Sequence, residues 1–393
     1  MMSSISNAPA VGINGRNEYL AMLDAAWQEH LAPRTADAPT VISLFSGIGG
    51  SLLGYSMAGF RELLAVEWWD RAAAAFRVNF SDIFMYCGDI ADLSVDDCLR
   101  ESGIAFGNLD VLDGSPPCQG FSMSGKRLLN DPRNRLFMEY VRLLRGLRPR
   151  AFVMENVGGM VKGKMRLVFA DAMRELKASG YLVSARLMNA MWFGVPQYRS
   201  RLIFVGVRDD LGIPPSHSRA QSRPHSVAEA LDLEDAAVER HPGYVDARFV
   251  AGIRRGFGDI KNEQYRNEFR GLDMPSPTLE ASRPPIVAGL HTGHVIEAWE
   301  RGDRYIGSYH SVRLRPDRPS PTQIAAHRNW RPDEPRQLTN DEAKRLQSFP
   351  DEFIIPPGGA GYRMIGNSVP PLFMRAIALH IRQEILDRIR EAA

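Results

Sequence analysis

Short apolar runs alternate with amphipathic stretches between residues 39 and 210, and this alternation restricts the chain to few architectures. Runs such as VISLF, ELLAVE, AFVMENV and RLIFVGVR have the length and composition of buried strands, and the stretches between the earlier runs have helical spacing. Such an order predicts an α/β domain built on a doubly wound, mostly parallel sheet with helices on both faces. In folds of this kind, ligands bind at the carboxyl ends of the strands.

The pattern divides the 393 residues into four segments. The first contains one predicted helix, NEYLAMLDAAWQEHL, whose apolar spacing indicates packing on the main body or on a second subunit. The third begins with the proline- and serine-rich linker GIPPSHSRAQSRPHS and is rich in turns. We expect an N-terminal extension at 1–38, the α/β domain at 39–210, a smaller irregular domain at 211–335 and a C-terminal segment at 336–393.

The composition excludes several classes of protein. No apolar run approaches the roughly 18 residues that a membrane-spanning helix needs, and the N-terminus lacks the order of a secretory signal. Cys87, Cys98 and Cys118 are an odd number without a CxxC pair, which argues against a disulfide framework or a cysteine-based zinc site. We therefore expect a protein of the reducing cytoplasm, with no membrane partner and no metal.

A glycine-rich turn follows the first predicted strand. VISLFSGIGG places Gly47 and Gly49 between a strand and a helix, where glycine lets the backbone approach a ligand, although the spacing is not GxGxxG. Glu67 ends the next strand, where a carboxylate commonly binds ribose hydroxyls. Trp68 is placed to stack on a purine, and Asp89 to accept a hydrogen bond from an adenine amino group. Together these residues indicate a cofactor that contains adenosine.

One cysteine follows a conformationally restricted segment. DGSPPCQGFS sets Cys118 directly after two prolines, which restrict the backbone, and Gly120 beyond it permits bending. This arrangement at the end of a strand indicates a nucleophile, which needs a proton handler nearby. Glu155 closes another apolar strand, where partial burial favours a protonated carboxyl group. Arg199 and Arg201, in QYRSR, precede a further strand, and an arginine there can bind a carbonyl oxygen.

Taken in order, these motifs resemble those of the DNA (cytosine-5) methyltransferase family. FSGIGG, EWWD, GDI, SPPCQGFS, ENV, QYRSR, RPSPT and GYRMIGNSVPP extend the resemblance from about Val41 to the C-terminal helix, except for most of 211–315. The resemblance implies that the α/β domain is a Rossmann-like catalytic domain that uses S-adenosylmethionine. It further implies that 211–335 recognises the DNA target and that the C-terminal segment packs back on the catalytic domain.

The resemblance also implies roles for individual residues. Cys118 would be the nucleophile, Glu155 would bind the ring nitrogen and exocyclic amine of cytosine, and Arg201 would bind the ring carbonyl oxygen, with Arg199 supporting that pair. S-adenosylmethionine would bind, and S-adenosylhomocysteine would leave, at a pocket formed by several segments. The residues implied in that pocket are Phe45, Gly47, Ile48, Gly49, Glu67, Trp68, Asp89, Ile90, Pro117, Leu136, Asn367 and Ser368.

Double-stranded DNA is the macromolecular partner that the resemblance implies, and a cognate restriction endonuclease is a second candidate. A base inside a duplex must be flipped out before an enzyme can act on its ring. Between 301 and 331, seven arginines stand among aromatic residues, a composition that suits phosphate and base contacts. The candidate DNA contacts are Gln119, Ser122, Lys126, Arg127, Arg133, Arg313, Arg315 and Arg328. We expect a monomer or weak dimer.

Two positions depart from the family pattern, and three other functions deserve comparison. Ser43 replaces an aspartate that is usual near the methionine end of the cofactor, and Trp69 replaces a frequent aspartate. The same chemistry on transfer RNA stays open, although more than a hundred residues between VGVR and RPSPT favour a DNA reader. An oxidoreductase would need GxGxxG and a second nearby cysteine. A binding protein without catalysis would be expected to have lost Cys118, Glu155 or Arg201.

Overall fold

The computed structural model describes residues 17–117, 135–163, 165–220, 223–233, 314, 316–323, 329 and 337–392. The strands are β1 (Thr40–Leu44), β2 (Arg61–Glu67), β3 (Phe84–Cys87), β4 (Val111–Gly114), β5 (Ala151–Val157), β6 (Tyr181–Asn189), β7 (Gln197–Tyr198), β8 (Ser200–Arg208) and β9 (Ser320–Pro321). The helices before the irregular region are α1 (Glu18–Leu31), α2 (Gly50–Met57), α3 (Asp70–Asn79), α4 (Val95–Ser102), α5 (Arg135–Leu147) and α6 (Met165–Ala178). The later ones are α7 (Val227–Leu231), α8 (Asn340–Leu346), α9 (Gly358–Asn367), α10 (Pro371–Ile381) and α11 (Asp387–Ala392), with a π-helical turn between α10 and α11.

Seven of these strands form one sheet in the order β3-β2-β1-β4-β5-β8-β6. Strands β1 to β5 are mutually parallel, whereas β8 lies antiparallel between β5 and β6. The predicted doubly wound, mostly parallel sheet is therefore confirmed. Because the strand order reverses between β1 and β4, a crevice for a ligand opens at the carboxyl ends of these strands.

Successive side chains of each strand enter two different hydrophobic clusters. Val41 and Val153 pack with α1, α2, α3 and α10 on one face, and Ile42 and Met154 pack with α4, α5 and α6 on the other. This alternation is the two-residue period of a strand buried on both sides. The central strands consequently read as continuous apolar runs in the sequence.

The N-terminal helix packs on the body of the protein. Tyr19 and Leu23 are buried in the cluster that covers α2 and α10. Glu29 forms a two-bonded ion pair with Arg375 of α10, with N···O distances of 2.7 and 2.6 Å. Leu31 shares the apolar spacing of this helix but is 57% exposed, because it is the last helical residue and extends beyond the packed surface.

The C-terminal segment packs on α2. A Cβ atom at Gly54 of α2 would lie 2.7 Å from the Cβ atom of Met374, so the close approach of α2 and α10 requires glycine there. Thr339 and Glu342 form the capping box that begins α8, as their spacing indicates. β9, in the 211–335 segment, pairs in parallel with β7 of the 39–210 segment. The four-segment division of the chain stays a prediction.

None of the described helices is both long and apolar enough to cross a bilayer.

Candidate active site

Charged and polar side chains gather at one edge of the sheet, where β1, β4 and β5 end and β8 begins. The alternation that directs Val41 and Val153 to the α2 face also directs Ser43, Asp113 and Glu155 to that face. We call this edge the carboxyl edge, and the opposite edge the amino edge. The residue types that matter for chemistry are therefore brought together by strand register.

Glu155 and Arg201 form an ion pair at the carboxyl edge. Their Oε1 and Nε atoms are 2.7 Å apart, and both side chains are nearly buried. The pair exists because β8 is antiparallel to β5, which sets Arg201 beside Val157 at the end of β5. The carboxyl group and the guanidinium group that the family resemblance assigned to one base thus lie in contact, although Glu155 and Arg201 are 46 positions apart in the sequence.

Arg199 points away from this pair into the protein. It is 2% exposed, and its guanidinium donates to the carbonyl oxygens of Gln323, Gly366 and Ser368 at 3.3, 3.0 and 3.0 Å. Burial, reinforced by the charge of Arg201, lowers the pKa of Arg199 well below its ordinary value. The described hydrogen bonds of its guanidinium group all go to these carbonyl groups. The guanidinium group therefore connects β8 to the C-terminal segment, and its support of the Glu155–Arg201 pair stays a prediction.

Residues 45–49, which we call the glycine loop, connect β1 to α2. Phe45, Gly47 and Gly49 have positive φ angles of 58°, 57° and 93°. A Cβ atom at Gly49 would lie 2.4 Å from the ring of Phe80, whereas one at Gly47 would have no described heavy atom within 4 Å. Ile48 is buried beneath the loop. The backbone at Gly47 is therefore open to a ligand while the rest of the loop packs closely.

Glu67 binds the glycine loop from the neighbouring strand. Its carboxylate accepts from the backbone N–H of Gly47 at 2.8 Å and from those of Trp68 and Trp69 at 3.0 and 2.8 Å. Burial raises the pKa of Glu67, and these three hydrogen bonds oppose the rise. The ring of Trp68 is 80% exposed beside this carboxylate. A carboxylate has about four lone-pair sites, so Glu67 retains capacity to bind a further hydroxyl group.

The next strand end contributes Asp89 and Ile90. One oxygen of Asp89 accepts from the backbone N–H of Ala91 at 3.0 Å, and the other forms a half-exposed ion pair with Arg135 at 3.2 Å. Ile90 is buried in the core. Leu136, which follows Arg135 in α5, is partly buried against the same cluster. Asp89 and Ile90 follow β3, and Leu136 lies in the first turn of α5. All three are residues that the family resemblance assigned to the cofactor pocket.

The C-terminal motif contacts the first turn of α2. A Cβ atom at Gly50 would lie 3.1 Å from the Cβ atom of Ser368 and 2.4 Å from the carbonyl oxygen of Val369. Ser368 is buried, and Asn367 is exposed at the end of α9. The structure therefore brings the segment that contains Asn367 and Ser368 to the glycine loop.

Two further residues of this edge were not singled out by the sequence analysis. The side chain of Asn156 donates to the carbonyl oxygen of Pro116 at 3.2 Å and so holds the segment that leads to Cys118. Asp113 accepts hydrogen bonds from Ser43 and Ser51 at 2.8 and 2.6 Å. Asn156 belongs to the ENV motif, so the sequence contained a signal that could have identified it. The contacts of Asp113 depend on cross-strand register, for which the sequence shows no local sign.

Several predicted site residues lie outside the described part of the chain. Pro117 is described and exposed, and it directly precedes this group. The residues outside are the expected nucleophile and the candidate DNA contacts: Cys118, Gln119, Ser122, Lys126, Arg127, Arg133, Arg313, Arg315 and Arg328.

Comparison with known proteins agrees with this fold. The model of the C-5 cytosine-specific DNA methylase family matches residues 39–383. The type II methyltransferase M.XorII of Xanthomonas oryzae pv. oryzae is 32% identical over 363 residues, which are 88% of this chain and 85% of that protein. The type II methyltransferase M1.HphI of Haemophilus parahaemolyticus is 35% identical over 350 residues, 86% of this chain and 85% of that protein.

Solved structures agree as well. A putative DNA modification methyltransferase encoded within an E. coli prophage has a TM-score of 0.66 at 27% identity and covers 89% of this chain and 100% of its own. DNMT2 of Spodoptera frugiperda, at 17% identity and a TM-score of 0.55 over 90% of this chain and 100% of its own, shares the fold.

The fold is that of a Rossmann-like methyltransferase. The chain belongs to the C-5 cytosine-specific DNA methylase family, and the prediction of a DNA cytosine-5 methyltransferase is confirmed.

Proposed function

We propose that this chain methylates carbon 5 of a flipped-out cytosine within a specific sequence of double-stranded DNA, through a covalent adduct with Cys118. The observation that carries the proposal is the contact of Glu155 with Arg201 at the carboxyl edge, 2.7 Å apart. Asn156 binds the backbone at Pro116 and sets the segment before Cys118 beside that pair. An acid and a guanidinium group therefore meet at one site, and we propose that the thiol of Cys118 acts on the base bound there.

The residues in and beside the glycine loop fit S-adenosylmethionine. Gly47 leaves its backbone open, Glu67 lies beside it with lone pairs to spare, and Trp68 presents an exposed ring for stacking. When bound, this cofactor supplies a methyl group on a sulfonium centre and leaves as S-adenosylhomocysteine. The other residues proposed to line its pocket are Phe45, Ile48, Gly49, Asp89, Ile90, Pro117, Leu136, Asn367 and Ser368.

Carbon 5 of cytosine is a weak nucleophile, and the proposed residues make it a stronger one. The thiolate of Cys118 adds to carbon 6, which makes carbon 5 electron-rich. Glu155 would donate a proton to the ring nitrogen as charge develops there, and Arg201 would bind the ring carbonyl oxygen. After methylation, a base removes the proton from carbon 5, the thiolate leaves carbon 6, the ring nitrogen returns its proton to Glu155, and the aromatic ring is restored. Arg199 positions β8 against the C-terminal segment during these steps.

The DNA interface is proposed to include the segment after Cys118 and the arginines of 301–331. Lysine and arginine side chains there would contact phosphates, and a smaller number would read base edges. Type II methyltransferases are among the relatives of this chain, so we propose a cognate restriction endonuclease that recognises the same sequence. The proposed location is the bacterial cytoplasm or nucleoid, where the chain acts as a monomer or weak dimer.

A methyl-transfer assay tests the proposal. Purified protein with labelled S-adenosylmethionine is expected to label duplex DNA, and bisulfite sequencing of DNA from expressing cells reports the methylated sequence. Cys118→Ser is expected to abolish the transfer, since a serine hydroxyl is not ionised near neutral pH. A duplex that contains 5-fluorocytosine at the identified site is expected to become covalently attached to the wild-type protein. Labelling of transfer RNA without labelling of any duplex would overturn the DNA assignment.

A further inference from the structure

The family resemblance implies a carboxylate at position 43 of β1, and in this chain the carboxylate is instead on the facing residue of β4. Position 43 is serine instead of aspartate, and its direct Cα partner across the parallel β1–β4 pair is Asp113. The Ser43 hydroxyl donates to Oδ2 of Asp113 at 2.8 Å. One carboxylate and one hydroxyl thus face each other on neighbouring strands, with the carboxylate on the second strand rather than the first.

The same oxygen of Asp113 also accepts from α2. The Ser51 hydroxyl lies 2.6 Å from Oδ2. Ser43 precedes the glycine loop and Ser51 follows it, so a single oxygen atom hydrogen-bonds to both sides of that loop. Asp113 itself belongs to the strand that leads into Cys118. These bonds therefore couple the position of the loop to the strand that leads to the nucleophile.

The surroundings of Asp113 do not favour its charge. It is 2% exposed and forms no ion pair with any described residue. Burial raises the pKa of Asp113 to about 7, the bonds from Ser51 and Ser43 oppose the rise, and the charge of Glu155 adds to it. Burial and then the charge of Asp113 raise the pKa of the nearby Tyr55. A buried carboxyl group without a cation is costly, so stability alone does not explain its presence.

We propose that Asp113 is a positioning residue for the methyl donor, and that it replaces from β4 the carboxylate that Ser43 lacks on β1. It acts by fixing both sides of the glycine loop through Ser43 and Ser51. The proposal rests on the proposed function, because the glycine loop is assigned there to S-adenosylmethionine.

Exchange of the two side chains tests the proposal directly. Asp113→Ser is expected to raise the KM for S-adenosylmethionine and the Kd for S-adenosylhomocysteine by about tenfold or more, because two bonds to a carboxylate are lost. The KM for DNA is expected to stay within about twofold, since the bonds do not reach the DNA. The double variant Ser43→Asp with Asp113→Ser returns the carboxylate to β1. Both donor constants are then expected to return to within about threefold of wild type.

The amino edge offers a matched control. Asp110 is the equivalent carboxylate at the other end of β4, where it accepts from Thr40 on β1 at 2.9 and 3.0 Å. Asp110→Ser is expected to lower the thermal midpoint and to leave both donor constants within about twofold of wild type. If Asp113→Ser does not fold, Ser51→Ala removes one bond and is expected to weaken S-adenosylhomocysteine binding by about threefold.

Two results would overturn the assignment of Asp113. One is wild-type donor affinity in Asp113→Ser or, where that variant does not fold, in Ser51→Ala. The other is a folded exchange variant that binds the donor no better than Asp113→Ser. If wild type binds S-adenosylhomocysteine but methylates no nucleic acid, the proposed function fails while the binding comparison still decides the role of Asp113. If wild type neither binds S-adenosylhomocysteine nor methylates nucleic acid, both proposals are wrong.

Discussion

A buried aspartate lies at each end of β4, Asp110 just before the strand and Asp113 within it, and each faces a hydroxyl of β1. The two carboxylates have different partners. Asp110, at the amino edge, accepts from the backbone N–H and hydroxyl of Thr40 and pairs with Arg150 at 2.9 Å. Asp113, at the carboxyl edge, accepts from two hydroxyl groups, and no cationic side chain among the described residues pairs with it. The first arrangement satisfies a charge and stabilises the sheet. The second leaves a carboxyl group poorly compensated where the cofactor and base are proposed to bind.

This difference gives the two edges separable functions. Groups at the amino edge are expected to change the free energy of unfolding and leave catalysis intact, whereas groups at the carboxyl edge are expected to change catalysis or ligand affinity first. Active sites commonly keep groups that a purely structural site would neutralise. The variants below test whether the separation holds in this chain.

Glu155→Gln is expected to give the largest effect. Glutamine keeps the size of the side chain and an oxygen that can accept from Arg201, but it cannot donate an acidic proton to the base. We expect kcat to fall by about 10²–10⁴-fold, the range for loss of a general acid. Single-turnover methyl transfer to the identified duplex measures this. A kcat within about tenfold of wild type would mean that Glu155 is not the acid and that the carboxyl edge is less specialised than proposed.

Asp113→Asn is expected to change how stability depends on pH. The pKa of Asp113 rises from 3.8 to about 7 on folding, so the native state binds this proton more tightly than the unfolded state. Its contribution to stability is full below about pH 4 and is lost as the pH rises through about 7. The variant should therefore gain stability relative to wild type between these values, by at most about 4 kcal/mol.

Urea unfolding between about pH 5 and pH 8 measures that gain. Burial also raises the pKa of Glu62, near the amino end of β2, to about 7. Glu62→Gln is therefore a control that should reproduce the pH effect without changing the KM for S-adenosylmethionine. Parallel curves for wild type and Asp113→Asn at every pH would show that this carboxyl group does not titrate in the proposed range.

Asp110→Ser tests the amino edge itself. It removes the hydrogen bonds to Thr40 and the ion pair with Arg150, which is partly exposed. The free energy of unfolding is expected to fall by about 1–3 kcal/mol, since a buried donor is left unpaired. Methyl transfer at a temperature where the variant is folded should match wild type within about twofold. A donor KM raised as much as in Asp113→Ser would remove the distinction between the two ends of β4.

Much of the sheet could be predicted from composition, and one strand could not. β1, β2, β5 and β8 are buried on both faces and appear in the sequence as apolar runs. β6 lies at the end of the sheet, is largely half-buried, and mixes polar with apolar residues, so the sequence shows no run there. The antiparallel direction of β8 was also not predicted, because composition does not encode strand direction.

The candidate site likewise has features that the sequence predicted and features that it did not. Glu67 and Glu155 each stand at the end of an apolar run, so their position at the carboxyl edge follows from the fold class. Arg201 begins such a run and reaches the same edge only because β8 is antiparallel. The burial of Arg199 among carbonyl groups depends on a C-terminal segment that is far away in the sequence. The contacts of Asp113 depend on register across two strands. Such features need packing information that local sequence patterns do not contain.

Trp68→Ala is expected to give the smallest effect and the cleanest separation of affinity from stability. The ring is 80% exposed, so the free energy of unfolding should change by less than about 0.5 kcal/mol. Loss of stacking on adenine should raise the Kd for S-adenosylhomocysteine by about 3–10-fold, which corresponds to the free energy that an aromatic pair contributes. Titration calorimetry measures the Kd, and quenching of Trp68 fluorescence on binding gives a second readout in the wild type.

Phe106→Ala is the matched control for that experiment. Phe106 is also a large exposed side chain, at 60%, but it precedes β4 at the amino edge. Its removal should leave both stability and S-adenosylhomocysteine affinity unchanged. If both variants bind the product equally well, adenine does not stack on Trp68, and the exposed ring at the carboxyl edge has no more connection to the cofactor than its counterpart at the other end. If only Trp68→Ala loses affinity, the two edges differ in function even for side chains that contribute nothing to folding.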